Sequence, residues 1–403
     1  MCATPAHLRG AGLLSALAAG LIWAAITLAA EAADLRIGYI EPPRRELTLS
    51  LLDRPADDLG LAGARLAIAD NNTTGRFTGQ NYTLESVAAA DRGAAVSAVE
   101  TLAEAGVDWV VADLDAGALL AVADAAAGHD MTVFNVGAPD DELRLRDCRT
   151  NLIHVAPSRA MLADALAQYL AWKKWPRWFL VVGSHPEDEA YAAAIRRAAR
   201  RFGGQIVEER VYPDTGGART TDTGHVQVQE KLPAFLQDAA EHDVLIVADE
   251  NEVFGTYVPY HTWDARPVAG TAGLVATAWS PAHEEWAGIQ VQNRFMDEFR
   301  RRMQEEDMLA WMAVRMVGEA ATRAGSTERR AIADYMTGPD FALAAFKGQA
   351  LTLRPWNRQL RQPILLADGK QVVSVSPQEG FLHPTSYLDT LGYDRPESSC
   401  HLD

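Results

Sequence analysis

Two adjacent arginines, Arg44 and Arg45, stand in "YIEPPRRE", behind two prolines that stiffen the chain and just after the strand-like run "LRIGY". A guanidinium grips a carboxylate through two parallel N–H donors, which a lysine ammonium cannot do. Paired forks on a rigid loop suit a flat ligand carrying several carboxylates. The formal net charge of -17 makes two neighbouring cations conspicuous. The plainer reading is a solvated turn, or a rim salt bridge to Glu41, Glu46 or Asp53.

Other chemistries find little support. There is no G-x-S-x-G elbow, and Ser184 beside His185 cannot form a relay, because neighbours on a strand end point apart. No G-x-x-x-x-G-K-[ST] phosphate loop is present, and no G-x-G-x-x-G follows the first strand. "HPEDE" (185–189) and the "ADENE" stretch with Asp249 are acidic loop clusters. They lack EF-hand spacing, and carboxylates at a helix N-terminus are favoured by the dipole without any ion. The reading is therefore a binding protein with no catalytic cofactor, not an enzyme.

The elements that position these residues alternate. "LRIGYI" reads as a strand, and "GLAGARLAIADNN" as a helix ended by Asn71, Asn72 and Gly75. "NYTLESVAA", "VDWVVAD" and "MTVFNVG" are strands separated by the helices "GAAVSAVETLAEAG" and "AGALLAVADAAAG". A second series begins at the N-cap Ser158, with strands "WFLVVGS", "QIVEERVY" and "DVLIVADE" between helices. "PDTGGARTTDTG" has no periodicity and reads as a flexible surface loop. Later come "EEWAGIQVQNRFMDEFRRRM", "DMLAWMAVRMVGEAATRAG" and "TERRAIADYMTG", then short strands from Lys347. The pattern implies an α/β chain with two doubly wound parallel-sheet units. In such sheets ligands sit beyond the carboxyl ends of the strands. That rule selects Glu41 to Arg45, Asp91 and Arg92, Asp113 to Asp115, and Asn135 to Pro139. In the second unit it selects Ser184 to Asp188, Asp249 to Asn251, and Ala278 to Ser280.

Length and charge set the outer limits. At 403 residues the chain suits two or three domains, and -17 disfavours nucleic acid and anionic membranes. Residues 1–33 read as a secretory signal peptide: Arg9, an apolar run, then small residues around "AEA". The run is also long enough to act as an uncleaved anchor. Export to the periplasm is expected. Without Cys2, the chain keeps Cys148 and Cys400, which read as one disulfide in an oxidising compartment, the alternative being two buried thiols. Two cysteines this far apart do not make a metal site.

"IGYIEP", "ADNNTTGRFTGQNY", "NLIHVAPSRAMLADALAQYL" and "AWMAVRMVGEAATRAGS" resemble the type I periplasmic solute-binding proteins of the branched-chain amino acid ABC transporter group. "LRLRDCRTNLIHVAPSRAMLADALAQYLAWKKW" and "LRPWNRQLRQPILLADG" resemble the subgroup associated with pyrroloquinoline quinone (PQQ)-dependent alcohol dehydrogenase systems. The resemblance implies two lobes joined by three crossings, and no catalytic residues. One lobe is expected from 34–156 and 278–345, the other from 157–277 and 346–403. It implies a monomer that hands a small solute to a membrane permease or to a PQQ-dependent dehydrogenase, or else a sensor partner without a transport role.

The departures shape the expected ligand. In the family's amino-acid binders, hydroxyls after the third strand hold the carboxylate, but here that loop reads "ADLDAGALL". Trp311 and Met312 replace the family's tyrosine-aspartate pair. PQQ or a related aromatic polycarboxylate is therefore expected ahead of leucine-type amino acids, which are the alternative. Among ten tryptophans, Trp279, Trp311 and Trp356 lie where they could stack on a quinone. Trp172, Trp175 and Trp178 read as packing or surface. The expected contacts are Arg44, Arg45, Arg92 and Arg354, those three indoles, and Asp113, Asn135, His185 and Asp249.

Overall fold

A computed structural model describes residues 33–41, 55–214 and 228–402. The loop carrying Arg44 and Arg45, segment 1–32 and most of the expected loop after "QIVEERVY" lie outside the described residues.

Among the described residues there are two large sheets and a small antiparallel one of β11 (Leu343–Ala344), β12 (Ala350–Leu353) and β13 (Leu360–Arg361). The first has the order β2-β1-β3-β4-β5, from β1 (Ala33–Glu41), β2 (Gln80–Ala88), β3 (Trp109–Ala112), β4 (Thr132–Asn135) and β5 (Leu152–His154), all parallel. Buried apolar side chains at every position of β3 make it a central strand, as expected where helices cover both faces. Helices α1 (Leu61–Thr78), α2 (Arg92–Glu104) and α3 (Ala116–Ala127) supply the crossovers. α1 runs past Asn71 and Gly75, where the sequence suggested an end, and stops at Gly79 in the left-handed region. Asn71 is buried and donates to Val314 O, so a tertiary contact satisfies the side chain that would otherwise compete with the helix backbone.

The second sheet has the order β15-β14-β10-β9-β8-β6-β7. β6 (Arg177–Val182), β7 (Gln205–Val211), β8 (Val244–Ala248), β9 (Val268–Gly270) and β10 (Leu274–Thr277) are parallel. β14 (Ile364–Ala367) pairs antiparallel with β10, and β15 (Val372–Ser376) pairs antiparallel with β14. α5 (Arg159–Trp172) and α6 (Pro186–Phe202) pack on this sheet, and the Ser158 hydroxyl caps α5 by accepting from Met161 N.

α8 (Gly288–Phe299), α9 (Glu305–Ala324) and α10 (Arg329–Thr337) follow β10. Ala278, Trp279, Val291, Phe295, Met308, Val314 and Ile332 pack into the core of the first sheet. Leu351, Leu353 and Leu360 join them, and the return to the second core is marked by Ile364, Leu366 and Leu391. The expected return at 346 thus moves to just before β14. The C-terminal tail also comes back to the first lobe: Cys400 is bonded to Cys148, and Ser399 N donates to Leu145 O.

The crossings form one buried polar hub. Gln359 donates to His154 O and Ala156 O, and Gln362 Nε2 to Val155 O at 2.7 Å, tying the third crossing to the first. Arg144 joins them through Gln359 Oε1 and Ala156 O. His154 is held well below the usual histidine range by burial, then by the Arg144 charge, so its imidazole is neutral.

Candidate functional site

The carboxyl ends of both sheets carry the candidate groups, but most of them are turned inward. Asn135 ends β4 fully buried. Its amide donates to Ala138 O at 2.8 Å and its oxygen accepts from the Ala138 and Gly137 backbone. It staples its own loop. Asp249, after β8, does the same: its carboxylate accepts from Val253, Phe254 and Gly255 N at 2.5–3.0 Å. Burial pushes its carboxyl up while those three amides pull it back.

The expected aromatic and basic partners are also committed elsewhere. Arg354 is 2 % exposed and gives its guanidinium to Asp389, Leu388 O, Leu391 O and Tyr393 O. Trp356 packs beneath Arg354 and Arg361, whose guanidinium carbons lie 5.6 and 5.7 Å from its ring. Trp279 is buried and meets His283 edge-on at 5.0 Å. Trp311 lies inside α9, with Nε1 donating to Asp70 at 2.9 Å and its ring against Phe346. None of these three indoles offers an open face for a quinone. Arg92 opens α2 on the expected edge and is exposed.

Two further expected residues keep a solvent-facing position. Asp113 follows β3 half-buried, beside Gly137, where a Cβ would lie 2.7 Å from the Asp113 carboxylate. Gly60 borders it too, and a Cβ there would strike the Tyr39 hydroxyl at 2.2 Å in a backbone with φ +79°. Glycine is thus required on this rim for close approach. His185 caps the start of α6, and its Nε2 lies 2.9 Å from Asp214 Oδ2. Asp188, from the "HPEDE" cluster, faces inward to bind His185 N and Asn251 N, so the cluster is not an open cation site.

Sequence reasoning missed three groups. α9 begins at Glu305, earlier than the "DMLAWM" reading, so Glu305, Glu306 and Asp307 form its first turn. Asp307 binds Arg301 at 2.6 and 2.8 Å and accepts from Gly60 N, which locks α9 to the start of α1. Glu306 reaches solvent. Desolvation, and then the like charges of Glu305, Asp113 and Asp307, push its carboxyl up to about 7. The signal was the run "QEED" before an apolar helix, which reads equally well as a capping sequence. The third group is Arg159, 5 % exposed, which bridges Glu250 after β8 to Asp140 after β4. It clips the two strand-end surfaces together near the first crossing.

Among the described residues no helix is long and apolar enough to cross a membrane. No curated protein matches the chain by sequence. Among solved structures, a branched-chain amino acid ABC transporter periplasmic ligand-binding protein from Burkholderia xenovorans superposes with TM-score 0.68 at 18 % identity, over 85 % of this chain and 95 % of that one. A leucine-, isoleucine-, valine-, threonine- and alanine-binding protein from Brucella ovis, in a closed conformation, gives 0.65 at 15 % identity, over 83 % and 89 %. A solute-binding protein of an ABC transporter from Rhodopseudomonas palustris, in complex with 3,4-dihydroxybenzoic acid, gives 0.62 at 15 % identity, over 85 % and 97 %. These likenesses concern the fold. The periplasmic binding protein profile matches residues 55–371, most of the chain. With its parallel five-stranded sheet, its mixed seven-stranded sheet and interlaced crossings, this chain belongs to the periplasmic binding protein family.

Proposed function

We propose that the protein captures a small solute between its two lobes in the periplasm and delivers it to an ABC permease. The observation that supports this best is the pair of sheets whose carboxyl edges carry the solvent-facing Asp113 and Glu306 on one side and His185 on the other, within a family of binding proteins.

For the ligand, our reading is an aromatic carboxylate, with PQQ as its polycarboxylate form, gripped by Arg44 and Arg45. The support is the stiffened double arginine after β1, the absence of hydroxyls in the loop after β3, and a structural neighbour solved with an aromatic acid. Delivery to a PQQ-dependent dehydrogenase is the corresponding alternative destination. The net charge of -17 opposes an anion, but screening over about 8 Å confines that penalty to nearby charges.

The second reading is an amino acid or another ammonium-bearing solute. It is favoured by Glu306 and Asp113, whose negative field would attract a cation and repel a carboxylate.

Tryptophan fluorescence titration separates the readings. PQQ or 3,4-dihydroxybenzoate should quench to saturation at one ligand per protein, and Arg44→Ala or Arg45→Ala should weaken binding about tenfold, or 1.4 kcal/mol. Binding of leucine alone, lost in Glu306→Gln, would establish the amino-acid reading. A melting temperature unmoved by every solute would leave the sensor partner without a transport role.

A further inference from the structure

A cavity of about 90 Å³ opens where α10 lies against the first sheet. Trp109, which begins β3, and its register partner Thr132, which begins β4, form its floor. It therefore sits at the amino edge of the sheet, opposite the edge where solute is expected. Asp334 and Thr337 of α10 and Arg358 of the third crossing complete its polar lining. Three of these groups are donors that find no acceptor among the described residues. Thr132 is 6 % exposed, and its hydroxyl makes no hydrogen bond there. The buried indole nitrogen of Trp109 has no partner either. Arg358 is half-buried, with its backbone in the left-handed region at φ +54°. Its N donates to Arg354 O at 2.8 Å and its O accepts from His154 N at 3.1 Å, which fixes it where the third crossing meets the first. Its guanidinium makes neither an ion pair nor a hydrogen bond among the described residues. Arg144, Arg159, Arg354 and Arg361, by contrast, are each held by carboxylates, carbonyls or amides.

We infer that this cavity is a second binding site, for a small singly charged oxyanion of the formate or nitrate kind, which secures the third crossing to the foot of the first sheet. The inference does not depend on which solute, if any, the lobes capture.

The physical basis is an unmatched donor set. A guanidinium stays charged, and a charge drawn partly out of water is costly unless something pairs with it. Burial lowers the Arg358 pKa, and no carboxylate offsets that effect. Its planar fork matches a carboxylate or a nitrate, both of which offer two coplanar oxygens. A hydroxyl and an indole N–H supply further donors on the floor, and an indole can only donate. The acceptors in the lining are weaker competitors. The Thr337 hydroxyl donates to Ala333 O at 2.9 Å and belongs to its own helix. Asp334 opposes an anion, but it is exposed and leans toward Arg330 at 3.9 Å, so solvent screens it. One guanidinium facing one rim carboxylate suits a ligand with a single negative charge. Size narrows the class. The cavity exceeds the roughly 30 Å³ of one water, yet it is far below the roughly 300–1,000 Å³ of pockets for drug-sized ligands. An aromatic solute does not fit.

The test uses the full chain carrying Arg44→Ala and Arg45→Ala, so that a carboxylate held on the expected solute loop is not read as this site. Melting temperature is followed as sodium formate, and separately sodium nitrate, replaces sodium chloride at constant ionic strength. The apparent dissociation constant follows from the rise with concentration. It should weaken about tenfold in Arg358→Gln, which loses the charged fork. It should weaken about fivefold in Thr132→Val, which keeps the side-chain shape and loses one donor. One indole N–H resonance of tryptophan-labelled protein should move along the same titration in the parent chain and stay still in Arg358→Gln. Arg358→Lys, which keeps the charge without the fork, serves in place of the glutamine variant if that chain does not fold, and should also bind more weakly than the parent. No rise in the parent, or an equal rise in the parent and the Arg358 variant, means that only water fills the cavity and overturns the proposal. Sulfate binding more tightly than formate overturns the assignment of a single charge.

Discussion

Arg354 Nε donates to Asp389 Oδ1 at 2.8 Å, and neither residue is open to water. Arg361 Nε reaches the same carboxylate at 2.8 and 3.0 Å, so one buried anion balances two guanidiniums. Removing one partner of a buried ion pair strands the other charge, which costs about 3–5 kcal/mol. Asp389→Ala should therefore lower the unfolding free energy from urea titration by an amount in that range, whereas Arg354→Ala should lower stability without selectively weakening solute binding. A loss of affinity in a folded Arg354→Ala protein would return this arginine to the contact set.

Trp311 is held by Asp70 and stands in the position the family resemblance marked as ligand-facing. Trp311→Phe keeps most of the ring and loses a hydrogen bond to a carboxylate, for which about 1–3 kcal/mol is expected. Calorimetry should show the lower melting temperature, and fluorescence titration should show an unchanged solute affinity.

Glu306 gives a pH signature. Its carboxyl is pushed up from 4.5 to about 7 in the folded chain, so the folded state holds this proton more tightly than the unfolded one. The contribution to stability is complete below about pH 4.5 and is lost as pH rises through about 7. Glu306→Gln should then melt higher than the wild type at pH 8, with the difference closing toward pH 4.5. Equal melting curves at both ends would contradict the crowding of acids at the start of α9.

Cys148 and Cys400 close a loop with a sequence separation of 252 residues. Thiol titration of unfolded, unreduced protein should find neither cysteine free. Reduction should cost about 2–5 kcal/mol, the usual range for a long closed loop. Tail contacts such as Ser399 N to Leu145 O should loosen first in hydrogen exchange.

The sequence by itself determined the α/β class, the order of strands and helices, and the set of loops at the carboxyl ends of the strands. Those follow from periodicity and from the handedness of parallel crossovers, which are local or topological facts. It also determined that only Cys148 and Cys400 could pair once Cys2 was set aside. What it left open was which side chain in each loop faces outward, because that depends on partners far along the chain. Asn135 and Asp249 have the type and address of ligand contacts, yet their own loop amides consume them. Arg354 meets Asp389 35 residues later, and Trp311 meets Asp70 241 residues earlier, in pairs that no spacing rule announces. Arg358 and Glu306 were equally silent, one an ordinary arginine between two amides and the other an acid in a capping run. Only the tertiary structure decided their surroundings, by placing the arginine at a cavity with Thr132 and the acid beside Asp113. The reason is dielectric: the same ionisable group is a solvated ornament at the surface and a constraint where water is excluded.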